Sequence, residues 1–230
     1  MRTTLKPFER NAEKSRKIED GILKLVSHDV DLKNSPVLLE QEYFDEESFA
    51  RIFEVKSGEW TLEDGWAVGK NPKMNPGMIV SKDDFFGDVM VEITVKMVPP
   101  STHDINMMIH GEWDEVKNFR ANAYVAGVEA FWHGNIGFEK SPDYKLTAAT
   151  SLFQFDPEKE HNFKLGNVGN KIFVVVDGEL CLEITDPDPL DIWKYGKIGF
   201  EAFSSWWKFK DLKVYQLKYD KFYEYYNPEF

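Results

Sequence analysis

The sequence predicts an all-β fold, a single sandwich of two antiparallel sheets, and three observations carry that prediction. From Val37 onward apolar residues recur with period two, in short runs separated by turn residues, as strands with one buried face require. Nowhere do strands alternate with helices, which argues against a doubly wound α/β sheet. The chain also holds 18 Phe, 9 Tyr and 7 Trp, and aromatic side chains favour a pleated, half-buried surface. At 230 residues such a sandwich fits one domain.

Residues 1–35 read as an N-terminal extension and 36–230 as the sandwich. Asn11 to Val26 is rich in Lys, Glu and Arg, with Ile18, Ile22 and Leu25 at helical spacing. This predicts a short amphipathic helix packed on the sandwich or on a partner chain, so a homo-oligomer is left open. Gly21 lies inside that helix and weakens it. Strands are expected at Ile52 to Val55, Trp60 to Leu62 and Trp66 to Val68. Lys70 to Pro76 is a loop, and Val89 to Val98 is a long strand stopped by Pro99 and Pro100. Ile105 to His110, Phe119 to Ala126 and Glu129 to His133 follow. Phe163 to Leu165, Ile172 to Val176 and Leu180 to Ile184 come next. Asp177-Gly178 between the last two suits a tight primed turn, which needs positive φ. Lys197 to Phe203 and Trp207 to Leu217 close the domain.

The formal net charge of −12 argues against nucleic acid, whose binding rests on Lys and Arg neutralising phosphates. It argues equally against an anionic membrane surface. A strongly anionic polysaccharide is disfavoured too, unless a local basic patch overrides the average. No apolar run approaches the ~18 residues of a membrane span, and residues 1–20 lack the apolar core of a secretory signal. A cytoplasmic protein is expected. Cys181, the single cysteine, has no internal disulfide partner.

Several motifs fall in a familiar order. Trp60-Thr61-Leu62-Glu63-Asp64-Gly65-Trp66 resembles the W-x-x-x-DG opening of concanavalin A-like domains. Val174-Val175-Val176-Asp177-Gly178 resembles their v-x-v-NG hairpin. Gly196-Lys197-Ile198-Gly199-Phe200 and Phe209-Lys210-Asp211-Leu212-Lys213-Val214 resemble their closing strands. Within that lectin and glucanase superfamily the chain is similar to uncharacterised bacterial jelly rolls found with sugar-degradation genes, and to 3-keto-disaccharide hydrolase-like domains. The resemblance implies a jelly-roll sandwich whose concave face receives a saccharide. It carries over no catalytic residue.

Candidate site residues come from strand alternation. In Ile105 to His110 the more polar set is Asn106, Met108 and His110; in Phe119 to Ala126 it is Arg120, Asn122 and Tyr124. If the two strands are neighbours, these residues share one surface. Amide and guanidinium groups bond sugar hydroxyls, and aromatic faces cover the C–H face of a ring. The plain alternative is an ordinary solvated sheet face. Glu112, beside Trp113, is the first candidate for a general acid or base, since desolvation raises a carboxyl pKa; His110 would tune it. Glu139 is the second carboxylate, because glycosidases use a pair. Trp132 and His133 lie at an expected turn, where binding residues concentrate. Of Trp206 and Trp207, at least one belongs to the core, since consecutive strand residues point apart.

No cofactor is expected. The acidic clusters Asp83, Asp84, Asp88 and Asp186 to Asp191 do not match an EF-hand loop, and read best as solvated turn acids. Asp211 resembles the place where some jelly rolls hold a structural Ca²⁺, which is not favoured here. The histidines at 28, 103, 110, 133 and 161 follow no zinc pattern. Three functions are weighed. The first is a hydrolase acting on a glycoside or oxidised sugar. The second is a non-catalytic carbohydrate-binding module. The third is a polysaccharide lyase, which Tyr124 to Val128 and Ile109-His110 faintly resemble, but whose Arg-rich strand is missing.

Overall fold

The computed structural model describes residues 17–73, 76–102, 104–128 and 135–221. In chain order the strands are β1 (Ile22–Lys24), β2 (His28–Asp31), β3 (Val37–Gln41), β4 (Phe53–Val55), β5 (Glu59–Glu63), β6 (Trp66–Asn71) and β7 (Gly77–Ser81). Next come β8 (Val89–Met97), β9 (Ile105–Gly111), β10 (Trp113–Asp114), β11 (Phe119–Arg120), β12 (Ala123–Val128), β13 (Ile136–Ser141) and β14 (Thr147–Thr150). β15 (His161–Val168), β16 (Lys171–Val176), β17 (Glu179–Thr185), β18 (Lys197–Ala202), β19 (Ser205–Gln216) and β20 (Tyr219–Lys221) complete the set. Helix α1 (Glu46–Ile52) precedes β4 and is capped by Asp45, whose Oδ1 accepts from Ser48 N–H at 2.7 Å, satisfying an amide the first turn leaves free.

These elements form a jelly-roll sandwich of two antiparallel sheets. One sheet has the order β14-β13-β12-β9-β18-β7-β4, and the other β17-β16-β15-β8-β19-β6-β5, with β3 paired to β19 as its eighth strand. Their inner faces interdigitate around Trp207, Phe209, Phe200, Phe138, Ile109 and Val95, all fully buried. Trp207 is thus core, while Trp206 stays partly exposed. No helix among the described residues is long and apolar enough to cross a membrane.

The helix expected over 11–26 does not form across its described part. Asp20 and Gly21 both take positive φ, 53° and 81°. Glu19 and Ile22 exchange backbone hydrogen bonds across them, and β1 pairs with β2. An Asp-Gly pair prefers such a primed hairpin turn, and that local preference overrides three apolar residues at helical spacing. Asp64-Gly65 and Asp177-Gly178 repeat the geometry. The small β1-β2-β20 sheet packs Leu23, Leu25 and Val30 on Met90, Val168 and Phe173, on the outer face of the eight-stranded sheet.

Candidate active site

The site lies on the outward face of the seven-stranded sheet. Its floor is set by register. Glu201 of β18 pairs with Asn106 of β9, and Asn106 with Gly127 of β12. A side chain at 127 would collide with Asn106 Oδ1, 2.2 Å from the Cβ position, so only glycine leaves room for that amide. One row along, Glu139 pairs with Val125 and Val125 with Met108. The β10–β11 hairpin lies over this face, with Trp113 packed against Met78, Val80, Met108, Ala123 and Val125.

Two clefts flank the hairpin. One, about 420 Å³, is lined by Lys56, Glu112, Trp113, Tyr195 and Lys197 among others. The other, about 570 Å³, is lined by Phe119, Arg120, Glu139, Ser141 and Tyr144, with Asp114 and Lys117 at its edge. Glu112 and Glu139, the carboxylates proposed as a pair, therefore open onto different clefts. Glu112 accepts a hydrogen bond from Asn122 Nδ2 at 2.9 Å, beside the backbone bond from Glu112 N–H to Asn122 O.

Alternation assigned two residues to the wrong face. Tyr124 is fully buried between the sheets, with Ile109 and Phe138, and donates its hydroxyl to Asp186 at 2.8 Å. Residues 119–126 do not form one strand: the chain leaves the ladder at Ala121 and Asn122, which resets the phase. In β12 both faces are apolar, so nothing in its residue types marks which is inside. His110 is also fully buried. It takes a φ of 48°, where the β9–β18 register shifts, and this bulge turns its ring inward. Nε2 meets Asn167 Oδ1 at 2.7 Å and Nδ1 meets the Tyr195 carbonyl at 3.1 Å. Burial pushes its pKa below the usual range. It therefore cannot reach Glu112's cleft as a tuning partner. Trp132 and His133 lie outside the described residues.

What the second cleft gathers is a buried arginine among acids. Arg120 donates to Glu139 and to Glu201, and its Nε donates to Ser141 Oγ at 3.0 Å. All of these residues are under a tenth exposed. Asn106 Nδ2 donates to Asp104 Oδ1 at 2.5 Å. Burial, with the Glu201 charge added, pushes Asp104 up to about 8, so its carboxyl holds a proton at neutral pH. Burial raises Glu139 as well; Arg120 opposes this and Glu201 adds to it. For Arg120, burial disfavours the charge, but Glu201 and Glu139 outweigh it and hold the group cationic. Tyr144 is half exposed at the mouth, and burial of its hydroxyl followed by the Glu139 charge raises its pKa. The arrangement has the parts for proton transfer beside a fixed positive charge.

Asp104, Glu201, Ser141 and Tyr144 were not singled out in the sequence. Glu201 carried a readable signal: a lone charge inside the apolar run Ile198 to Ala202, which a buried strand tolerates only with a partner. Asp186, grouped with solvated turn acids, is instead 1% exposed. It pairs with Lys140 Nζ at 2.8 Å. Asp211 sits at the bulge in β19, its N–H bonded to Glu42 O at 2.9 Å. Among the described residues no three His, Cys, Asp or Glu side chains gather as metal ligands.

Sheet order and buried interior together define a concanavalin A-like jelly roll. Solved structures with this fold include a carbohydrate-binding module from Bacillus subtilis, CBM66, at 16% identity and TM-score 0.57, covering 71% of this chain and 95% of that one. A β-glucanase from Bacillus licheniformis matches at 12% identity and TM-score 0.54, covering 80% and 99%. A galectin-like protein of unknown function from Bacillus subtilis matches at 13% and 0.59, covering 80% and 98%. At these identities the likeness is one of fold. No curated protein matches the sequence. The chain belongs to the family of 3-keto-alpha-glucoside-1,2-lyase-like domains, whose model matches residues 39–215, which makes it a carbohydrate-related protein.

Proposed function

We propose that the chain cleaves an oxidised sugar, a glycoside carrying a 3-keto group, in the cleft of Arg120 and Glu139. The observation that carries the reading is a buried guanidinium fixed between two carboxylates, at the wall of a cleft large enough for a sugar. A ketone at C3 acidifies the hydrogen on C2. Glu139, whose proton affinity burial raises, takes that proton. The electron pair forms a double bond from C2 to C1, and the bond from C1 to the leaving oxygen breaks with its electrons. Arg120 offsets the negative charge that spreads onto the C3 oxygen. Tyr144, protonated and at the mouth, returns a proton to the leaving oxygen. Phe119, 41% exposed, offers an apolar wall to the ring.

The test is release of nitrophenol from a nitrophenyl 3-keto-α-glucoside, with the same unoxidised glucoside as control. Turnover of the keto compound alone is expected, with Glu139→Gln slower by roughly 10²–10⁴-fold. Loss of deuterium from a keto-glucoside labelled at C2 separates elimination, which removes that hydrogen, from direct hydrolysis, which keeps it. The second reading, a non-catalytic carbohydrate-binding module, is favoured by one fact: Arg120 and its two carboxylates already satisfy one another. Saccharide binding with no turnover, unaffected by Glu139→Gln, would select it.

A further inference from the structure

The opposite surface of the sandwich carries a feature that the cleft chemistry does not use. β19, at 12 residues the longest strand, points Trp207 and Phe209 into the core. Its alternate residues Trp206, Lys208 and Lys210 face outward, about 7 Å from each to the next along the strand. Neighbouring strands extend this row. Lys96 of β8 lies directly opposite Lys208, and Lys70 of β6 directly opposite Trp206. The Lys208 and Lys210 ammonium groups sit 4.6 and 4.4 Å from the centre of the Trp66 ring, and the Lys70 ammonium 4.5 Å from that of Trp206.

This is an unusual concentration in a chain with 40 acidic and 28 basic residues. Two lysines directly opposed on one sheet face repel each other and cost stability. Among the described residues Lys70, Lys96 and Lys208 make no ion pair, whereas further along the sheet Lys164 pairs with Glu92 and Lys213 with Glu40. Lys210 has Glu160 at 3.7 Å, and Glu59 and Glu63 flank the row on the edge strand. The positive charge is thus local, linear and spaced, and it adjoins a shallow groove of about 420 Å³ over Trp206, Lys70, Pro72 and Pro100.

We propose that this face binds an acidic polysaccharide, one bearing carboxylate or sulfate groups, along β19. Lys96, Lys208 and Lys210 pair with the anionic groups, and Trp206 lies under a sugar ring. Charge complementarity selects an anion, and the spaced lysines beside a partly exposed indole suit a polymer of charged rings. A nucleic acid would present denser charge to a protein of net charge −12, and the acidic flanks would repel it.

Native electrophoresis through gels holding polygalacturonate, chondroitin sulfate or neutral dextran tests this with the whole chain. Retardation by an acidic polymer, relieved by salt and absent with dextran, is expected. Lys96→Gln/Lys208→Gln/Lys210→Gln should weaken it at least tenfold, and Trp206→Ala severalfold, with turnover of the small keto-glucoside unchanged. Circular dichroism checks the fold, and the single Lys96→Gln variant serves if the triple one fails to fold. No retardation by either acidic polymer overturns the proposal, as does equal retardation by dextran or a triple variant that binds like wild type. Single-stranded DNA bound more tightly through the same lysines would overturn the choice of occupant.

Discussion

Replacing Asp104 by Asn tests the electrostatics of the cleft without disturbing its shape. Asp104 is 3% exposed and has a φ of 75°, a conformation that Asn also tolerates. An Asn side-chain oxygen still accepts from Asn106. In the folded state the carboxyl keeps its proton up to about pH 8, whereas in the unfolded chain it loses it near pH 4. Between these values the folded state binds more protons, so the wild type loses stability as pH rises. At ~1.4 kcal/mol for each pH unit, the interval from pH 5 to pH 8 amounts to at most about 4 kcal/mol. For a chain of this size that is up to roughly 8–16 °C in Tm. Thermal unfolding of wild type and Asp104→Asn at pH 5 and pH 9 reads the difference, since other titrating groups contribute alike to both. Similar Tm values at pH 5 and a clear advantage for the variant at pH 9 are expected. Parallel pH profiles would refute the reasoning, for they would mean that the carboxylate is already ionised and solvated in the fold.

Three further outcomes follow from particular contacts. Lys140→Met removes the partner of Asp186 and leaves a buried carboxylate beside Tyr124; a loss of about 3–5 kcal/mol is expected in urea unfolding. Gly21→Ala places a Cβ 2.8 Å from Lys33 at a φ of 81°, so the β1–β2 hairpin should fray, and faster amide exchange from Leu23 to Val30 would report it. For His110, burial lowers the folded pKa, so its contribution to stability is present above about pH 6.5 and is lost as pH falls below that value. His110→Asn should flatten the acid limb of the Tm profile, and an unchanged limb would place the acid sensitivity elsewhere.

The repeating two-residue period, the Asp-Gly turns and the dense aromatic content determine a sandwich, because each strand must bury one face and each tight turn needs positive φ. The strands expected at Val89 to Val98, Ile172 to Val176 and Trp207 to Leu217 could be read for that reason, and form as Val89–Met97, Lys171–Val176 and Ser205–Gln216. Asn106 and Arg120 stood out as polar groups on expected strands and Glu139 as a second carboxylate, on a strand the sequence did not announce, and the tertiary structure gathers them with Asp104 and Glu201 on one face. Their meeting was not readable. Glu139 and Glu201 sit on strands separated by two others, a neighbourhood set by sheet order rather than by chain order. Tyr124 and His110 went to the wrong face because a break at residues 121–122 and a bulge at 110 each shift a strictly alternating count by one. Nothing local marks such a shift when both faces of the strand are buried. Pairing of distant strands, and the one-residue offsets that let both sheets fill the same core, were left for the tertiary structure to decide.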